Sequence, residues 1–347
     1  MGISSKHRLT TAVRVLLDRK TPSSARAGLY IDDVTAISPE EVTEAKEFFP
    51  MSKFFIFGHA RSGTTLLTRL IRLHPDVHCN YQGHFFTRPP LLQSLVADPE
   101  IKAWLTRRSN RWNHGKDLSP VILRAAVDFI LERDARREEK TIVGDKSPSS
   151  LMNGKAVKLM HKVYPDASLI YIIRDGRDAV VSHRFQTFID GTQHLSKEDW
   201  RIRQAFTGKA DPFFEGERSI FTEKGLRRAA LGWVQNVQET NEMGKALYDE
   251  RYITLRFEDL LKSPWNEIRR LWDFLDASTE MTWLEDSLQE ELSKNPDSDW
   301  QHEKAGDIAR FVHKGETGYW QEVFTHRDRE IFEKIAGDTL AAWNYPL

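Results

Sequence analysis

Residues 53–75, KFFIFGHARSGTTLLTRLIRLHP, constrain the chain more than any other stretch. Phe54-Phe55-Ile56-Phe57 is short, apolar and aromatic, the pattern of a buried strand. The loop Gly58-His59-Ala60-Arg61-Ser62-Gly63-Thr64-Thr65 follows. Leu66, Leu67, Leu70, Ile71 and Leu73 then recur at helical spacing, and His74-Pro75 ends the helix. A strand, a glycine loop and a helix in that order aim backbone N–H groups and a helix N-terminus at a phosphate. The glycines have the G-x-x-x-x-G spacing of a P-loop. A Walker A loop continues with Lys and then Ser or Thr, for the β/γ-phosphates and Mg²⁺. Here Gly63 is followed by Thr64-Thr65, and the cation, Arg61, lies inside the loop. The expectation is a phosphate loop without Mg²⁺-ATP chemistry, the alternative an ordinary glycine turn.

Composition sets the outer bounds. A chain of 347 residues with 29% charged and 40% hydrophobic residues reads as one large α/β domain or two small ones. Fifty basic residues against 51 acidic give no global pull toward nucleic acid or an anionic membrane, so any anion site is local. One cysteine, Cys79, allows neither an intrachain disulfide nor a cysteine-rich metal site. It fits a reducing compartment, and a cytoplasmic location is expected. No apolar run approaches a membrane span, and the basic start MGISSKHRLTTAVRVLLDRK lacks the apolar segment and cleavage site of a secretory signal.

Residues 1–50 read as an extension, partly helical around Thr10–Arg19, with a helix near 39–48 opened by Ser38-Pro39-Glu40-Glu41. Residues 51–347 read as a single domain. Helices within about 84–140 are expected to cover one side of the site or simply to pack in the core. One of them should start at Ser119-Pro120, with Ser119 as N-cap and Val121, Ala125 and Ile130 on its apolar face. A polar stretch at about 186–225 reads as a lid or irregular surface loop. Strands at 53–58, 141–144, 168–173 and 252–255, separated by helices, predict a parallel central sheet flanked by helices, with right-handed crossovers and a ligand at a switch point.

Four motifs follow one another along this frame. Ala60-Arg61-Ser62-Gly63-Thr64-Thr65 resembles the first signature of the PAPS-dependent sulfotransferases, P-[KR]-S-G-T-T, with Ala in place of Pro. These enzymes use 3′-phosphoadenosine 5′-phosphosulfate (PAPS) as co-substrate and release the bisphosphate PAP. Asp145-Lys146-Ser147-Pro148 resembles the family's K-[TSD]-P element. Strand 168–173 with Arg174-Asp175-Gly176-Arg177-Asp178 and then Ser182 resembles its second signature. Arg310 to Trp320 resembles R-K-G-x-x-G-x-W, with His313 replacing an arginine. The resemblance covers about Lys53 to Trp343 and implies a P-loop NTPase-like sulfotransferase fold.

The resemblance also implies roles. Arg61 and the amides of Ser62, Gly63, Thr64 and Thr65 would hold the 5′-phosphate. Lys146 would approach the transferring sulfuryl oxygens, or else be a solvated strand end. Arg174, Ser182, His313, Lys314 and Gly315 would hold the 3′-phosphate, with Arg177 in a structural pairing role. Phe257, in Arg256-Phe257-Glu258-Asp259-Leu260, would lie near the adenine or in the core. Where the family often carries a glutamate as base, this chain has Gln82, and an amide takes no proton at neutral pH. His84, two residues on, is the candidate base, or it packs or caps a turn. The acceptor is expected to be a small molecule, carbohydrate or lipid, and neither metal nor nucleic acid is expected. A PAP-binding protein without catalysis is the first alternative, and a P-loop kinase, disfavoured by Thr64 in the Walker lysine position, the second.

Overall fold

A computed structural model describes residues 34–87, 96, 98–107, 109, 114–150, 153–294, 308, 311 and 315–347. Five parallel strands form one sheet: β1 (Ser52–Gly58), β2 (Val77–Tyr81), β3 (Ile142–Lys146), β4 (Ser168–Ile173) and β5 (Tyr252–Arg256), in the order β2-β3-β1-β4-β5. β1 is central. The chain leaves it for one edge, returns through β3, then crosses to β4 on the other side, so the switch point lies between β1 and β4. The predicted α/β fold with a parallel central sheet is thus observed.

Side chains alternate across a strand, so each inner strand feeds two cores. Phe55, Phe57, Leu169, Tyr171 and Ile173 face one layer, and Phe54, Ile56, Ile170 and Ile172 the other. The first layer is built with helices Ser119–Arg137, Gly154–Val163, Gly176–Asp190, Glu223–Tyr248 and His326–Ala342. The second uses Thr64–Ile71, Pro264–Phe274 and Trp283–Ser293.

The N-terminal helix falls where expected, at Pro39–Phe48, with Ser38 and Glu41 closing a capping box. Residues 1–33, including the expected helix around Thr10–Arg19, lie outside the described residues. Five points need correction. β2 was not foreseen, and β3 extends through Asp145 and Lys146 instead of ending before them. Helix Ser119–Arg137 has Leu118 at its N-cap, and its entry is held by the Asp117 carboxylate accepting from the Ser119 N–H at 2.9 Å. Its buried side is Leu123, Arg124, Val127, Asp128, Leu131, Glu132 and Ala135, not Val121, Ala125 and Ile130. Arg124, Asp128 and Glu132 turn inward because Lys53, buried at the start of β1, donates to Glu132 at 2.7 Å and Arg124 pairs with Asp166 at 2.7 Å. This helix therefore packs in the core, the second of the two options weighed. Finally, much of 186–225 is helical, including Lys197–Gly208 and Asp211–Phe214. Phe206 and Phe213 bury against each other there and give those polar helices an apolar seam.

Candidate donor and transfer site

The loop after β1 is shaped by two glycines. A side chain on Gly58 would come within 2.9 Å of the Ile172 carbonyl, so glycine lets the loop close against β4. Gly63 has φ 86°, and a side chain there would collide with the Phe257 ring. Gly63 also occupies the N-cap of helix Thr64–Ile71, which has no side-chain cap. Other helices of this chain are capped by Ser38, Thr222 or Thr325. The first-turn amides of the uncapped helix remain available, and the helix dipole favours an anion in front of them. The Ser62 hydroxyl at this turn is buried and has no hydrogen-bond partner among the described residues.

Three cations surround this turn, each from a different segment. Arg61, with φ 72°, donates from Nε to the Ser182 hydroxyl at 3.1 Å. Arg174, at the end of β4, donates to the Arg61 carbonyl at 3.1 Å and the Glu316 carbonyl at 2.7 Å. Its buried Nε has no partner among the described residues. Burial lowers the Arg174 pKa, with Asp178 and Glu258 opposing. Lys146 lies at the end of β3, in register with Ile56 of β1 and Tyr81 of β2. Its Nζ donates to the Thr65 hydroxyl at 3.2 Å and sits 5.2 Å from the Tyr81 ring centre. Burial lowers its pKa too; Cys79 and Asp145 oppose that, and Arg61 adds to it. The lysine that the loop itself lacks thus arrives from the neighbouring strand. Two buried, orphaned polar groups beside cations whose charge is disfavoured by burial fit an anion.

Phe257 is 2% exposed, wedged between Gly63 and Arg174, whose guanidinium stands 4.8 Å from the ring centre. Of the two readings for Phe257, the buried one describes its surface, although it touches the loop. Arg177 has the structural role foreseen for it: it pairs with Asp175 at 2.7 Å and donates to the Pro346 carbonyl at 2.6 Å. Asp178 accepts from the amides of Gly318 at 2.7 Å and Trp320 at 3.0 Å, which holds the 316–320 segment beside Arg174. Gly315, with φ 78°, is exposed next to that segment. His313 and Lys314 lie outside the described residues.

The acceptor side is less direct. Gln82 and His84 have left-handed backbones, with φ 58° and 49°. The His84 imidazole meets the Thr87 hydroxyl at 3.0 Å through Nδ1, and its amide donates to the Ser147 hydroxyl at 2.8 Å. Two groups were not singled out from sequence. Asp145 is fully buried, and burial pushes its pKa up to about 6. His59, in the loop itself, is buried and pushed down to about 4, so its ring is neutral. A charged residue ending an otherwise apolar strand was the available signal for Asp145. His59 carried none. No group of three or more His, Cys, Asp or Glu among the described residues could hold a metal ion, and no described helix is long and apolar enough to cross a membrane.

An uncapped glycine turn after β1 faces an arginine-ended β4 across the switch point of a parallel α/β sheet. Residues 53–281 match the model of the sulfotransferase family, and the chain belongs to that family. It is 25% identical over 228 residues to a protein-tyrosine sulfotransferase of Drosophila melanogaster, covering 65% of this chain and 38% of that protein. It is 24% identical over 223 residues to protein-tyrosine sulfotransferase A of Caenorhabditis elegans, covering 64% and 49%. The matches thus span less than half the length of these two relatives. Among solved structures, mouse sulfotransferase SULT7A1 complexed with PAP aligns over 87% of this chain and 89% of its own, at 17% identity and a TM-score of 0.45.

Proposed function

We propose that the chain transfers the sulfuryl group of PAPS to a hydroxyl of an acceptor and releases PAP. The observation that carries this reading is the convergence of Arg61 in the loop after β1, Arg174 at the end of β4 and Ser182 in helix Gly176–Asp190 at one uncapped helix terminus. A mononucleotide with one phosphate cluster needs one such set of ligands; a 3′,5′-bisphosphate needs two adjoining ones.

The acceptor oxygen attacks sulfur in line, and its proton passes to a base. The bond between sulfur and the 5′-phosphate oxygen breaks, and its electron pair stays on PAP. Charge therefore grows on the bridging oxygen. Arg61 and the amides of Ser62–Thr65 hold the phosphate that receives it, and Lys146 stabilises the sulfuryl or bridging oxygen. Arg174 and Ser182, with Lys314 and Gly315, anchor the 3′-phosphate, whose binding orients the sulfuryl without taking part in the bond change. His84 takes the proton. The relatives named for protein tyrosine direct the first acceptor trials to a tyrosyl phenol; sugar, lipid and small-molecule hydroxyls come next. Gln82, an amide in the family's usual glutamate position, favours as second reading a protein that binds PAP and transfers nothing.

Calorimetry with PAP, AMP and ATP tests the donor site. Binding of PAP that needs its 3′-phosphate and no Mg²⁺ is expected. Equal affinity for PAP and AMP would remove the second phosphate site and the reading with it. Transfer of labelled sulfuryl from PAPS to a tyrosyl peptide, or to water as released sulfate, then separates enzyme from binding protein.

A further inference from the structure

We infer that Asp145, acting partly through Ser147, is a positioning residue that sets the backbone of the Gln82–His84 loop and so aims the proton-accepting side of the site. The inference rests on the transfer reading above. Three consecutive amides of that loop end on three consecutive residues of β3 and its exit. The Gln82 N–H donates to the Lys146 carbonyl at 2.7 Å. The Gly83 N–H donates to Asp145 Oδ1 at 2.8 Å. The His84 N–H donates to the Ser147 hydroxyl at 2.8 Å, and that hydroxyl in turn donates a hydrogen bond to Asp145 Oδ2. Both carboxylate oxygens are thus committed to the loop.

Two alternatives explain less. If Asp145 were the counter-ion of Lys146, the ammonium would bond to it. Neighbours in a strand point to opposite faces, and Lys146 Nζ is bonded instead to Thr65. If the carboxylate merely satisfied loose amides, water would serve, because Gln82 and Gly83 are exposed. A fully buried carboxylate at this end of the sheet holds a conformation that the loop would not keep by itself. Gln82 and His84, neither of them glycine, are both left-handed there.

The test uses the full chain with Asp145→Ala, Ser147→Ala, Ser147→Thr and His84→Ala, and the doubles with His84→Ala. PAP affinity is read by calorimetry, and turnover by labelled transfer to a tyrosyl peptide or to water. Misplacing a catalytic group by about 1 Å costs on the order of 100-fold in rate. Asp145→Ala is expected to lower kcat by about 30-fold or more with PAP affinity within about threefold. Ser147→Thr should restore much of what Ser147→Ala loses. In the His84→Ala background the Asp145→Ala loss should shrink below about threefold, because both act through one loop. An equal loss in both backgrounds, or PAP affinity falling in step with kcat, would overturn the inference and leave the transfer reading standing. If Asp145→Ala does not fold, Ser147→Ala carries the same cycle. A wild type that binds PAP but transfers to neither acceptor would overturn the transfer reading, and the inference would go with it.

Discussion

At the scale of single residues, the proposed roles of Lys146 and Arg174 are separable. Lys146 is held by Thr65 at the turn where the bond would break, whereas Arg174 is fixed from behind by the Arg61 and Glu316 carbonyls. Removing a donor that meets charge only in the transition state costs about 2.7–4 kcal/mol. Lys146→Ala should therefore lower turnover by about two to three decades with PAP affinity nearly intact. Arg174→Ala should instead weaken PAP far more than AMP, by the ~1.5–3 kcal/mol typical of a hydrogen bond to a charged group. Parallel losses in both variants would contradict the division. Asp145 makes a prediction about pH. Its folded pKa is raised to about 6 by burial, above an ordinary value of 3.8. Its contribution to stability is thus full below about 3.8 and lost as pH rises through about 6. Measured by denaturant unfolding, wild type minus Asp145→Asn should fall across that window and stay flat above it. A difference that rises with pH would mean that the amides stabilise the carboxylate more than burial opposes it. Arg174 and Ser182 were legible because they belong to one contiguous motif, a buried strand followed by Arg174-Asp175-Gly176-Arg177-Asp178 and then Ser182, although their partners Arg61 and Glu316 lie more than 100 positions away. Asp145 was not singled out, because its charge at the end of an apolar strand was the one mark it carried and its partner amide is 62 positions away.

At the scale of elements, the glycine turn and its helix form one unit with Phe257. The ring fills the space that a Gly63 side chain would need, and Gly63 is left-handed. Gly63→Ala should lose PAP binding and lower the melting temperature together; a variant that keeps native PAP affinity would show that the turn can shift. Four of the five strands could be read in advance from their apolar runs, which are buried in β1, β3 and β4 and half-buried in β5. β2 is an edge strand like β5, but its run Val77–Tyr81 is broken by His78 and Asn80. His78 bonds at 2.8 Å to Glu138 on one side and to Asn80 on the other, so polarity that argued against a strand is satisfied by side chains. The same masking hid the inward face of helix Ser119–Arg137, where charged residues point into the core because their partners are buried with them. In 186–225, the helical faces are polar apart from a few phenylalanines, too sparse a signal for a helix.

At the scale of the whole molecule, the sheet separates two tasks between its ends. The strands' C-terminal ends carry the proposed phosphate loops, and the start of β1 carries Lys53, which donates to the Phe49 and Met51 carbonyls and to Glu132. Breaking one partner of such a buried pair costs about 3–5 kcal/mol. Glu132→Ala should lower unfolding stability by that order while the folded fraction keeps its PAP affinity, as calorimetry on refolded protein would check. The crossing from β1 to β4 has a further consequence. Arg61 and Ser182 meet only after 121 positions of chain have been threaded, through β2 and β3, back to the central strand. Contacts so distant in sequence form late, because chain closure must precede them. A nascent or refolding molecule can therefore have its helices in place and still be blind to the nucleotide. On the proposed donor reading, affinity for PAP would be the last property to arrive in refolding, and the nucleotide would act as a clasp that favours finished molecules over near-finished ones.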